Sequence, residues 1–262
     1  MTWWDGLVLG LVQGLTEFLP VSSSGHLVVA EAVLGLRTPG VVVEVALHVA
    51  TVAAVVVAYA GRLRELLVGL ARGAGGAWRF VGLLALASLP AGIVGVLFRD
   101  FFEAAFDSVA LVGVNFLITG TVLWVAGRHR SGTRPEPGAA GAFGIGVAQA
   151  IAILPGISRS GTTVAAGIWA GVDPVRAAEF SFLMSLPAIA GAALLQIPDV
   201  VTAGAAVAPA GPLLLSATAA MVSGVVAIRL LVRLLARRAF HRFAPYCWTI
   251  GVATLTWAVI GR

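Results

Sequence analysis

An all-α integral membrane protein is the fold class this sequence predicts, and three observations predict it. Of its 262 residues, 59% are hydrophobic and only 11% charged, which gives a mean hydropathy of +0.99, far above that of a water-soluble domain. Several apolar runs reach the roughly 20 residues a helix needs to cross a bilayer, and no polar stretch is long enough to fold apart from them. The charges gather between the apolar runs, and lysine is absent. A single polytopic domain over residues 1–262 follows, with about six transmembrane helices and two re-entrant helical hairpins in an inverted-topology repeat of approximately 1–130 and 139–262.

Taken in order, MTWWDG lacks the basic start of a cleavable signal and offers Trp3 and Trp4 as interface anchors, so the N-terminus is expected to be retained. The apolar pieces 7–12 and 27–36 are each too short to span. They flank QGLTEFLPVSSSGH, Gln13 to His26, and predict a hairpin whose broken loop lines a cavity, because irregular backbone at membrane depth must be buried in protein or face water. Spans follow at about 41–60, 80–98 and 109–126. The short pieces 141–154 and 163–172 flank PGISRSG and predict a second hairpin, and spans at about 180–197, 212–235 and 243–260 complete the chain.

Arginines assign the sides. Arg62, Arg64, Arg72 and Arg79 lie in 61–79; Arg128, Arg130 and Arg134 in 127–140; and Arg229, Arg233, Arg237, Arg238 and Arg242 near 229–242. These segments are expected in the cytoplasm. Segment 99–108, with Asp100, Glu103 and Asp107, and segment 198–211, with Asp199, belong outside, as do both termini. The first hairpin then enters from outside and the second from the cytoplasm. Gln13 to Gly25 has the same spacing as Gln149 to Gly161, which aligns Ser22 with Ser158 and Ser24 with Ser160, and Glu44 and Glu179 fall at nearly equal distances. Inverted repeats of this kind bring two broken-helix loops together near the midplane.

The two loops together hold Gln13, Glu17, Ser22, Ser23, Ser24, His26, Ser158, Arg159, Ser160 and Thr162. Arg159 is the one arginine expected deep in the protein, and its planar fork suits bidentate phosphate binding. Backbone amides at broken helix ends favour the same anion. Glu17 beside an anion calls for a bridging divalent cation, and hard oxygen ligands suit Mg²⁺ or a similar metal. Gln13 and Glu17 share a helix face at i, i+4. A structural alternative stands beside each group: helix-to-helix hydrogen bonds for Gln13 and Glu17, capping for the serines and His26, and interface snorkelling for Arg159. Their clustering favours a site. Glu44 and His48, four apart, read equally well as a structural polar pair. Cys247, the only cysteine, excludes an intrachain disulfide and a cysteine metal site. The net charge of +5 follows the topology, with no nucleic-acid partner implied.

QGLTEFLPVSSSGH and PGISRSG, with VEVALHVATVAAVVVAY, SLPAGIVGVLF and AAEFSFLMSLPA, resemble the undecaprenyl-diphosphate phosphatase family of bacteria, also called the bacitracin-resistance family. The resemblance runs over nearly the whole chain. It implies an inner-membrane hydrolase that removes one phosphate from undecaprenyl diphosphate at the periplasmic or outer face, recycling the lipid carrier for peptidoglycan synthesis and conferring bacitracin resistance. It further implies Glu17, Ser23, His26 and Arg159 as catalytic, Ser22, Ser24, Ser158, Arg159, Ser160 and Thr162 as substrate-binding, and Gln13 and Glu17 as ligands of a divalent cation, Mg²⁺ or Ca²⁺. A homodimer is also implied. The chain departs from the family pattern at Gln13, where a first carboxylate is expected, and at His48, where a glutamine is expected; the second departure argues against a catalytic role for His48. A partial likeness to a second lipid-phosphatase superfamily, with Pro-Ser-Gly-His and Ser-Arg-x5-His motifs, stops at Ala165, where the second histidine is missing.

Two nucleophiles stay open, Ser23 assisted by His26 and Glu17, or His26 itself. A transporter or flippase of a polyprenyl phosphate is the alternative function, because inverted repeats and broken helices would serve it equally well.

Overall fold

Thr2 begins the fold by capping the first helix, accepting the Asp5 amide at 3.2 Å while Asp5 accepts the Thr2 amide at 2.7 Å. The computed structural model describes residues 1–34, 41–129, 132–202 and 209–260. Arg130 and the side chains of Glu44 and Asp199, used in the sequence reading, lie outside the described residues. Helix α1, Trp3–Phe18, ends where Leu19 turns extended ahead of Pro20. α2, Ser23–Leu34, completes the first hairpin. α3, Val41–Ala58, bends by 77° into α4, Ala60–Ala71. α5 is Gly75–Leu97, α6 Arg99–Phe106 and α7 Val109–Arg128.

The second hairpin is α8, Ala139–Ile151, and α9, Arg159–Trp169. α10, Pro174–Thr202, starts earlier than the sequence predicts because the Asp173 carboxylate caps the amides of Val175 and Arg176, with Pro174 in the first turn where no amide is needed. α11, Ala210–Ala236, and α12, Ala244–Ile260, follow, the latter preceded by a 3-10 turn at Phe240–Phe243.

Each of the six expected spans falls on a helix: α3, α5, α7, α10, α11 and α12. Among the described residues four helices are long and apolar enough by themselves to cross a membrane, five when the bent α3 and α4 pair counts as one. Segments 61–79 and 99–108, expected as loops, carry α4 and α6. Leu66 of α4 and Phe102 and Ala105 of α6 are buried while Arg64, Glu65, Arg99, Asp100 and Glu103 face outward, as amphipathic surface helices require, and Arg62 of α4 turns inward to Glu179. Large apolar side chains such as Ile93, Leu97, Leu214 and Val259 remain more than half exposed, a surface that lipid tails would cover.

Glycine stripes set the helix pairs. Gly6, Gly10 and Gly14 lie against Pro212, Ser216 and Ala220 in turn, so α1 runs parallel to α11 with Phe18 against Gly224, near the middle of α11. A Cβ on Gly10 or Gly14 would collide with a main-chain carbonyl, and only glycine permits this approach. Gly113, Gly120 and Gly127 of α7 meet Leu255, Trp248 and His241, which makes α7 and α12 antiparallel. Gly146 of α8 meets Ala87 of α5, and Ile153 lies by Gly95, so α8 runs parallel to α5. The packing is reciprocal. α1, α3 and α11 bury Leu9, Val43, Leu47 and Ala220 together, and α8, α10 and α5 bury Ile145, Phe180, Leu183 and Leu83. The largest core, with Phe18, Val21, Leu123, Val164, Phe182 and Cys247, surrounds the two hairpin loops.

Candidate active site

The two hairpin tips are built alike. Ser22 sits ahead of α2 with its hydroxyl 3.4 Å from the Gly25 amide and 3.3 Å from the Ser24 hydroxyl. Ser158 caps α9 with its hydroxyl 3.0 Å from the Gly161 amide and 3.3 Å from the Ser160 hydroxyl. The loops touch each other: the Ser160 hydroxyl donates to the Leu19 carbonyl at 3.1 Å. Gly25 abuts Gly156 and Phe116 so closely that a Cβ on it would come within 2.6 Å of the Phe116 ring.

Glu17 is the centre of the arrangement and is nine-tenths buried. One carboxylate oxygen accepts from the Ser23 hydroxyl at 2.5 Å and from Gln13 Nε2 at 3.2 Å, and the other accepts from the Arg159 guanidinium. Ser23 and Arg159 are 136 residues apart and on different hairpins, so neither loop is a site alone. The second guanidinium nitrogen of Arg159, Nη1, is buried without a partner, as is the Gln13 carbonyl Oε1. Buried polar atoms of this kind cost free energy until a ligand or water meets them. Arg159 borders a cavity of about 150 Å³ lined also by Thr16, Glu17, Ser22, Ser23, Ser24, His48 and Ser158, with Ala152, Ile153 and Ile157 as an apolar wall; Gln13, fully buried, does not line it. Two larger cavities, one among Arg128, His129 and Arg238 and one among Tyr59, Glu179, Arg229 and Arg233, hold arginines but no hydroxyl on a carboxylate.

Other expected residues are placed differently. Ser160 and Thr162 are not among the cavity-lining residues; their hydroxyls donate to the carbonyls of Leu19 and Ser158, and so hold the loop. His26 does not line the cavity either. Its Nδ1 lies 2.7 Å from the Ser22 carbonyl and its Nε2 2.7 Å from the Tyr246 hydroxyl. His48, set aside on the family likeness, does line the cavity. Glu179 binds Arg62 at 2.8 Å and Arg176 at 2.9 Å in a separate ion network. Gln149, the counterpart of Gln13, is buried with both amide atoms unpartnered and has Ile153 where Gln13 has Glu17.

Two positioning residues escape the sequence reading. Asn115 Nδ2 donates to the Pro155 carbonyl at 2.7 Å; Thr119 Oγ1 donates to the Gly156 carbonyl at 2.9 Å and accepts the Ser158 amide at 3.0 Å. They hold the second loop, with Gly156 at a φ of +91° that a side chain would strain, beside the middle of α7. The signal was available: two buried polar residues four apart on one face of an apolar span.

The family model described as bacitracin resistance protein BacA matches residues 6–253 of this chain. Curated relatives named undecaprenyl-diphosphatase align over nearly their whole length. The one from Desulforapulum autotrophicum is 37% identical over 273 residues, covering 97% of this chain and 98% of the relative. That from Syntrophotalea carbinolica is 42% identical over 260 residues, covering 96% and 97%, and that from Methanosphaera stadtmanae is 36% identical over 274 residues, covering 98% of each.

Proposed function

The chain belongs to the bacitracin resistance protein BacA family, and on that premise we propose that it is a membrane enzyme hydrolysing undecaprenyl diphosphate to undecaprenyl phosphate and inorganic phosphate. The activity recycles the lipid carrier of cell-wall synthesis and confers bacitracin resistance. One observation carries the reading to named atoms: Ser23 Oγ lies 2.5 Å from a Glu17 carboxylate oxygen, and Glu17 is held by an arginine with a spare buried nitrogen. A hydroxyl on a carboxylate is an activated nucleophile, and a planar cation beside it is a phosphate clamp.

The terminal phosphoryl group of the lipid diphosphate enters against Arg159 Nη1 and the amides that open α2 and α9. Ser23 Oγ attacks the terminal phosphorus, and its proton passes to Glu17. The bond from that phosphorus to the bridging oxygen breaks, and undecaprenyl phosphate leaves with the bond's electron pair. Water then attacks the phosphoserine; Glu17 returns its proton to Ser23 Oγ as the bond from that oxygen to phosphorus breaks, and inorganic phosphate departs carrying both protons of the water. Arg159 and the helix-start amides hold the charge on the equatorial oxygens in both steps. Ser23 is favoured over His26 as nucleophile because His26 spends both ring nitrogens away from the cavity.

A divalent cation fits a limited donor set. The Gln13 carbonyl oxygen is buried and unpartnered, and Glu17 accepts three hydrogen bonds of the roughly four a carboxylate can take. Gln13 and Glu17 would hold Mg²⁺ or Ca²⁺ with substrate oxygens and water completing the shell. When bound, it supplies further neutralisation of phosphate charge.

Residence in the bacterial inner membrane, entry from the periplasmic or outer face, and a homodimer belong to the same proposal. So does the inverted repeat, which the reciprocal packing of α1 on α11 and α8 on α5 supports. That packing alone favours the second reading, a polyprenyl-phosphate transporter or flippase, for which a hydroxyl on a carboxylate has no use. Purified protein is expected to release phosphate from a long-chain polyprenyl diphosphate, and a chelator to slow it. No release under any metal condition sinks the enzyme reading; release indifferent to chelation removes the metal alone.

A further inference from the structure

His26 is one of the two histidines nearest the reaction and has no contact with the cavity; what it does instead can be read from its neighbours. Its Nδ1 lies 2.7 Å from the Ser22 carbonyl, which can only accept, so the proton sits on Nδ1. Nε2 of the neutral ring is then an acceptor, and the Tyr246 hydroxyl, 2.7 Å away, is its donor. The two rings are stacked 4° from parallel with centroids 5.7 Å apart, and Phe116 meets the imidazole edge-on at 5.1 Å. Tyrosine and phenylalanine fix the plane of the ring while the two hydrogen bonds fix its tautomer.

The beneficiary is Ser22. Its φ of +67° lies in the left-handed region, which a non-glycine residue occupies at a cost and keeps only when its surroundings hold it there. The Ser22 carbonyl accepts both the imidazole Nδ1 proton and the His26 amide, the latter at 3.3 Å. This left-handed turn swings the chain from the end of α1 into α2 and delivers Ser23 to Glu17. Neighbouring Cys247, also on α12, reaches the Pro20 carbonyl with its Sγ at 3.6 Å. Helix α12 therefore grips the reactive turn on both sides, at Pro20 and at His26.

We propose that Tyr246 is a positioning residue: its hydroxyl holds His26 in the Nδ1-protonated form, and His26 in turn holds the Ser22 turn that presents Ser23 to Glu17. The proposal rests on Ser23 being the attacking group. Tyr246→Phe keeps the stacked ring and removes only the donor. It is expected to lower kcat about 3- to 10-fold, the range set by losing one such hydrogen bond, with KM changed less than twofold because the phosphate clamp is untouched. Asparagine places its amide near where Nδ1 stands, so His26→Asn retains a donor to the Ser22 carbonyl and has nothing for Tyr246 to bind. His26→Asn is therefore expected to outperform His26→Ala, and adding Tyr246→Phe to His26→Asn to change nothing further.

A wild-type kcat for Tyr246→Phe, or effects of Tyr246→Phe and His26→Asn that multiply in the double variant, would overturn the proposal. Nitrogen-15 NMR of His26 in the wild-type protein tests it without any turnover: the Nδ1-protonated form is expected, and the Nε2-protonated form contradicts it. A wild-type protein that releases no phosphate yet shows the Nδ1-protonated form removes the phosphatase reading and supports only the hold of Tyr246 on His26 and the Ser22 turn.

Discussion

Three donors converge on Glu17, and each comes from a different part of the chain. Ser23 is six residues away, Gln13 four residues back, and Arg159 on the other hairpin 142 residues on. Glu17, Arg159 and the serine run that contains Ser23 were legible in the sequence because a carboxylate, a row of hydroxyls and an arginine in apolar hairpins have no cheap structural reason to be there. The division of labour among the hydroxyls was not legible. Ser22 and Ser158 cap helices and Ser160 bonds the opposite loop, and nothing in a run of serines distinguishes one aimed at a carboxylate from its neighbours. Asn115, Thr119 and Tyr246 were missed because their partners lie 40, 37 and 220 residues away. Arg159→Ala is expected to lower kcat about 10²- to 10³-fold, the loss typical when a donor aimed at transition-state charge is removed. Arg159→Lys, which keeps charge without the planar fork, should recover only a small part. Full activity in Arg159→Ala, measured as phosphate release, would show that the second loop is outside the site.

Among the elements, α1 shows most directly how sequence sets position. Its glycines at 6, 10 and 14 form one stripe because four residues return a helix to nearly the same face, and that stripe lets main chain lie on main chain along α11. The position of Glu17 relative to α11 is set by this contact. Gly10→Val forces a branched side chain against the Ser216 carbonyl and the Ala219 methyl. It is expected to cost about 1–3 kcal/mol, as overpacking commonly does, seen as a lower melting temperature in detergent together with a lower kcat. An unchanged melting temperature would mean that α1 is not held where the structure places it. The spans were legible from hydropathy, as were both hairpins from their short flanking pieces. α4 and α6 were not, since counting charges between apolar runs treats any charged connection as a loop. Their helical period shows only when Leu63, Leu66 and Leu70 are read apart from Arg62, Arg64 and Glu65.

For the whole molecule, the two loops meet beside the middles of α7 and α11, the arrangement expected of two hairpins that enter from opposite sides. The paired serines 22 and 24, and 158 and 160, could be aligned from spacing alone, whereas the exchange of partners, each hairpin lying on a long helix of the other half, is a tertiary fact that no local pattern encodes. Single cysteines introduced at Arg64 and Arg237 are expected to react only with reagents that reach the cytoplasm, and one at Asp100 only with reagents outside; labelling of Arg64→Cys from outside would reverse the assigned sides. The most direct test of the account joins fold and chemistry. Protein quenched during turnover of a polyprenyl diphosphate radiolabelled in its terminal phosphate should carry acid-stable label on Ser23, and Ser23→Ala should carry none. Acid-labile label on His26, or steady phosphate release from Ser23→Ala, would contradict it.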